Sequence, residues 1–113
     1  MKLPGAENAI IQAEKIKNYL LSDSHPVGRF KAIFFSSLGY SSDKWELLAN
    51  DIRTLLLQND AEKIEQSEYG QKYIITGNIK GPFNKTACII TVWIILKDKK
   101  TPKFITAYPG SKK

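Results

Sequence analysis

The sequence predicts an α+β domain in which three N-terminal helices pack on a four-stranded antiparallel sheet. Three observations predict it. Up to about residue 58 the apolar residues recur at spacings of three and four, the period of a helix. From about residue 59 to residue 109 they alternate, the period of a strand, and the change happens once. The chain has 113 residues, 42% hydrophobic and 25% charged, which suits one soluble domain with its own core and is too short for two. No internal repeat, low-complexity segment or linker divides residues 1–113, and residues 110–113 read as a basic tail.

The first helix is expected from Ala13 to about Leu21, because Ala13, Ile16 and Leu20 share a face. The stretch "SDSHP" interrupts it. A proline disfavours helical geometry in the residue before it, so His25 falls outside a helix. Pro26 suits the first position of a second helix, where its missing N–H is not needed. That helix runs to about Leu38, with Val27, Phe30, Phe34 and Leu38 as its buried stripe and Gly39 as a left-handed cap. The third begins at "SSDKWE", capped by Ser42 or Asp43, with Asp43 and Glu46 at capping-box spacing. Leu47, Leu48, Ile52, Leu55 and Leu56 carry its apolar face to about Gln58.

Four strands follow. "AEKIEQSE" is polar and suits a sheet edge, and "YGQ" turns the chain into "KYIITGNI". "KGPFNK" has the residues of a hairpin loop. "TACIITVWIIL" is apolar on both alternating sets, so it belongs at the centre, under the helices on at least one face. "KDKKTP" turns the chain into "KFITAYP", the last strand.

The formal net charge is +6, and residues 97–113 hold six lysines against one aspartate. Such a segment attracts phosphate or an acidic protein, and it also reads as a solvated turn and tail that protects an edge strand. The single cysteine, Cys88, lies in an apolar run and is expected to be buried and inert. One cysteine and one histidine make neither a disulfide framework nor a zinc site, so no metal and no cofactor are expected. "MKLPGAENAII" lacks the apolar stretch of a secretory signal, and Ala87 to Leu96 is too short to span a bilayer. The expectation is a reduced, cytoplasmic protein without a membrane segment.

Two groups of side chains could carry chemistry. His25 would stand at the positive end of the second helix, where a neutral imidazole and an anion are both favoured. Arg29, four residues on, reaches the same side; Lys31, six residues on, points away on an ideal helix. The stretch reads equally as an ordinary helix start with a polar first residue. On the strands, Thr91 shares a face with Trp93, and Thr106 with Tyr108. If Trp93 lies opposite Thr106, all four line one face close to Lys103, although core packing explains the same residues. There is no Gly-rich phosphate loop, nucleophile elbow or paired-carboxylate site.

"KLPGAENAII", "LLSDSHPVGRFKAIFFSSLGY" and "TVWII…FITAYP" together resemble a small bacterial family of unknown function. Its members occur as short stand-alone proteins and as C-terminal domains of polymorphic toxins. The resemblance covers Met1 to Pro109. The order of elements also resembles the barnase, EndoU, colicin and RelE group of metal-independent ribonucleases. That resemblance implies cleavage of RNA by 2′-hydroxyl attack, with His25, Arg29, Thr106 and Tyr108 catalytic and Lys31, Thr91, Trp93 and Lys103 holding substrate. It also implies a cognate antitoxin or immunity protein. A second histidine, found in some of these enzymes, is missing here, so Tyr108, a lysine or a carboxylate would supply the second proton transfer. The alternative is a non-catalytic interaction domain, either the neutralising partner of a toxin or a nucleic-acid-binding module.

Overall fold

The structure, a computed structural model, describes residues 1–21 and 29–110. The expected architecture is present: helices first, then a four-stranded antiparallel sheet in the order β1-β2-β3-β4. The strands are β1 (Ala61–Gln66), β2 (Gly70–Lys80), β3 (Thr86–Leu96) and β4 (Lys103–Pro109). The polar strand is at one edge and the most apolar strand is internal.

One face of the sheet carries the core. Tyr73, Trp93 and Phe104 lie opposite one another in a row across β2, β3 and β4, and all three are buried. Trp93 and Phe104 meet edge to face, with ring centroids 5.3 Å apart. The next row is smaller: Ala61, Ile75, Thr91 and Ala107. Large beside small gives the helices a surface to interlock with. Thr91 and Trp93 are both fully buried, and their polar atoms are satisfied locally. Trp93 Nε1 donates to Thr91 Oγ1 at 2.8 Å, and Thr91 Oγ1 donates to the Ile75 carbonyl at 3.0 Å.

Helix α1 (Ala13–Lys15) continues as a π-helical turn over Ile16–Leu20, closed by Leu21 N donating to Ile16 O at 2.9 Å. The widened turn still buries Ile16 and Leu20 completely. Helix α2 is described over Arg29–Ser37; the expected start at Pro26 lies outside the described residues. Its end is a Schellman motif. Gly39 N donates to Ser36 O, Tyr40 N donates to Phe35 O, and Gly39 has φ +104°. The Phe35 and Tyr40 rings pack together across this cap. Helix α3 (Trp45–Gln58) ends where expected.

Four local expectations are corrected. Of the expected α2 stripe, Leu38 is buried but Phe34 is only half-buried, its place in the core taken by the neighbouring Phe35 together with Ala32; Val27 and the side chain of Phe30 lie outside the described residues. On α3, Leu47 is 43% exposed, whereas Leu48, Ile52, Leu55 and Leu56 are buried. No side-chain cap forms at Asp43 and Glu46; a 3₁₀ turn over Ser42–Lys44 leads into the helix instead. Cys88 is half-buried, because it lies in the alternating set with Ile90 and Val92, on the face away from the helices.

The first ten residues form a strap that periodicity did not predict. Ala61 N on β1 donates to Met1 O, and at the other edge Ile10 N donates to Pro102 O and Phe104 N to Ile10 O. Between these anchors Leu3, Ala6 and Ala9 are buried, and Arg53 of α3 donates to the Ala9 carbonyl at 2.8 Å.

Two predictions follow from this core. Thr91→Val keeps the side-chain shape but removes the acceptor of Trp93 Nε1, and should cost about 1–3 kcal/mol in urea unfolding; an unchanged midpoint and slope would show that the pair is dispensable. Tyr40 is buried and donates to Asp51 Oδ2. Burial first, then the hydrogen bond and the charge of Asp51, push its hydroxyl well above the ordinary tyrosine range. The folded state therefore holds this proton more tightly, and the benefit fades as pH rises past the unfolded value of about 10. Above that pH the wild type should lose up to about 1.4 kcal/mol per unit more than Tyr40→Phe. Parallel pH profiles for the two proteins would refute this.

Candidate functional site

Strand β4 decides where the candidate residues point. Its pairing with β3 runs from Pro109 opposite Ile89 to Thr106 opposite Val92, then breaks and resumes with Phe104 opposite Trp93. Ile105 is the extra residue of a β-bulge. Without the bulge, Phe104, Thr106 and Tyr108 would share one face. With it, Phe104 and Ala107 face the helices, while Thr106 and Tyr108 share the outer face with Val92 and Ile90.

This overturns the expected register. Trp93 lies opposite Phe104 rather than Thr106, and Thr91 lies opposite Ala107 rather than Tyr108. The four side chains therefore do not line one face. Thr91 and Trp93 are sealed in the core and present no surface to a ligand.

The outer side of β4 instead gains a partner from α2. Lys31 Nζ donates to Thr106 Oγ1 at 3.1 Å, across 75 positions of sequence. Lys31 is half-buried, as are Thr106, Tyr108 and Lys103, and Lys103 lies opposite Ile94 on the same outer face. A hydroxyl that accepts from an ammonium keeps its own proton for an external acceptor. The pair thus joins an ammonium group to a hydroxyl that can still donate, with Tyr108 two residues along on the same face. The arrangement suits an oxyanion such as phosphate.

His25 lies outside the described residues, as does the side chain of Arg29. Lys31, which an ideal helix turns away from His25, is the member of that stretch whose contact with the sheet is defined. Lysine at the start of α2 and threonine in β4 are ordinary residue types, and only the bulge brings them together. Lys99, one of the lysines of the basic segment, lines three clefts around the β3–β4 turn. Among the described residues no group of three or more His, Cys, Asp or Glu could hold a metal ion, and no helix is long and apolar enough to cross a membrane.

The fold and site define a small α+β domain with helices on one face of a four-stranded meander and a basic, hydroxyl-bearing edge on the other. The chain belongs to the DUF6883 family, a domain of unknown function, which it matches over residues 2–111. It is similar in fold to a chain of the contact-dependent growth inhibition toxin–immunity protein complex from Klebsiella pneumoniae 342. The TM-score is 0.71 at 22% identity, covering 96% of this chain and 98% of that one. No curated protein matches the chain.

The Lys31–Thr106 contact is testable without a substrate. A double-mutant cycle with Lys31→Met and Thr106→Val should give a coupling of roughly 0.5–1.5 kcal/mol in unfolding free energy. Additive losses would mean that the two side chains act independently.

Proposed function

We propose that this domain is a metal-independent endoribonuclease of toxin type. The observation that carries the reading is the Lys31–Thr106 hydrogen bond, which joins the helix after "HPVGR" to the strand "FITAYP". In the proposed reaction a ribose 2′-hydroxyl attacks the neighbouring phosphorus. The P–O5′ bond breaks, leaving a 2′,3′-cyclic phosphate and a 5′-hydroxyl. His25 takes or returns a proton, as suits an imidazole titrating near neutral pH. Tyr108 supplies the opposite transfer. Lys31 and Arg29 offset the charge that grows on the phosphorane oxygens, and the Thr106 hydroxyl donates to one of them. Lys103 holds a flanking phosphate. The basic edge supports this role, and the likeness in fold to a chain of a toxin–immunity complex supports a place in such a system with a cognate protein as partner.

A second reading is supported by the outer face of β3. Ile90, Val92 and Ile94 form a half-buried aliphatic row there that cleavage does not require. In that reading the domain binds a protein or RNA and cuts nothing.

One experiment separates the two. Purified protein is incubated with RNA in excess chelator, and the products are mapped by end chemistry. Cleavage should leave cyclic phosphate ends, and His25→Ala should lower kcat about 10²–10⁴-fold. Intact RNA, salt-sensitive binding and equal affinity for wild type and His25→Ala would instead favour the interaction domain.

A further inference from the structure

The β3–β4 turn, residues 97–102, is held more firmly than a solvated lysine loop requires. Lys97 N donates to Tyr69 O, Lys99 N to Leu96 O and Ile10 N to Pro102 O, each at 2.9 Å. The strap presses on it as well: a Cβ on Gly5, whose φ is +72°, would stand 2.7 Å from the Lys100 carbonyl oxygen. Three clefts surround this turn, and Lys99 lines each of them. Two of the three also contain a carboxylate, Glu7 in one and Glu68 and Asp98 in the other.

The third cleft contains none. About 290 Å³ in volume, it is lined by Ile10, Gln12, Leu96, Lys99, Thr101 and Lys103. Ile10 is 44% exposed there, an apolar side chain left beside lysines. Two lysines, a threonine and a glutamine thus line the cleft together with the aliphatic Ile10 and Leu96. The size is at the low end of small-molecule pockets, roughly 300–1,000 Å³.

We infer that this cleft is a nucleotide subsite for single-stranded RNA, which rests on RNA being the substrate class of the reading above. A base laid on Ile10 and Leu96 gains apolar contact regardless of its identity. The Gln12 amide offers a donor and an acceptor to its edge, and Lys99 and Lys103 flank its phosphate. Lys103 begins β4, and because Ile105 is a bulge Lys103 and Thr106 face Ile94 and Val92, two residues apart on β3, so at about 3.3 Å per residue Thr106 lies about 7 Å further along the sheet. The subsite and the Lys31–Thr106 pair therefore lie on one line, so a single strand engages both.

Chemical-shift mapping tests this, with uridine 5′-monophosphate, uridine, inorganic phosphate and a single-stranded RNA tetramer as separate probes. The nucleotide and the tetramer should shift the amides of Gln12, Lys99, Thr101 and Lys103 more than phosphate or nucleoside alone. Lys99→Ala should flatten the dependence of log affinity for the tetramer on log salt by about 0.7. Equal shifts with inorganic phosphate, or shifts elsewhere only, would overturn the subsite. Shifts at the cleft with uncut RNA would keep the subsite and discard the ribonuclease. Cut RNA without shifts there would do the reverse.

Discussion

Everything on the outer surface of the sheet depends on which face of β3 goes inward, and Trp93 sets that face. Its indole is the largest fully buried side chain, and its one polar atom is paired with Thr91, which is paired in turn with the β2 backbone. A slip of β3 by one residue would expose the indole and drive Ile90, Val92 and Ile94 against the helices. It would also strand the Nε1–H and the Thr91 hydroxyl away from their partners. Tyr73 and Phe104 extend the same row onto both neighbouring strands, so three strands are fixed by one layer of rings.

The bulge at Ile105 lets β4 satisfy this row and still turn Thr106 and Tyr108 outward. An unbroken strand in the Trp93–Phe104 register would place Thr106 opposite Thr91, inside the core. There its hydroxyl would compete for the acceptors that Thr91 already uses. One extra residue therefore separates a packing half of β4 from a polar half. The strap and α2 then meet β4 at different points. Ile10 pairs with its first residues, and Lys31 reaches its middle.

Much of the architecture was legible because alternation and helical spacing report burial directly. "TACIITVWIIL" is apolar on both sets and is indeed internal, and the end of α3 at Gln58 and the cap at Gly39 stand where their residue types require. What was not legible has physical reasons. The bulge carries no local signature, since "KFITAYP" alternates acceptably in either phase. The neighbouring Phe34 and Phe35 are equally apolar, so only packing against Tyr40 and the core decides between them. The strap places Leu3, Ala6 and Ala9 at spacing three without forming a long helix, a pattern neither period detects. For the proposed site, strand periodicity paired Thr106 with Tyr108 correctly on one face, but grouping these two with Thr91 and Trp93 was an error of register.

That error narrows the chemistry rather than dissolving it. With Trp93 inside, no tryptophan stands on the face that bears Thr106, and Tyr108 is the aromatic side chain of β4 that remains outside. Stacking and proton transfer then compete for one residue. A phenol held flat against a base is poorly placed to reach an attacking or leaving oxygen in the same complex. The proposed nucleotide subsite at the start of β4 would resolve the conflict, because Ile10 and Leu96 there would take over the holding of a base. In the proposed reaction Tyr108 would then be left to the reacting phosphate, with base binding and chemistry at opposite ends of a seven-residue strand.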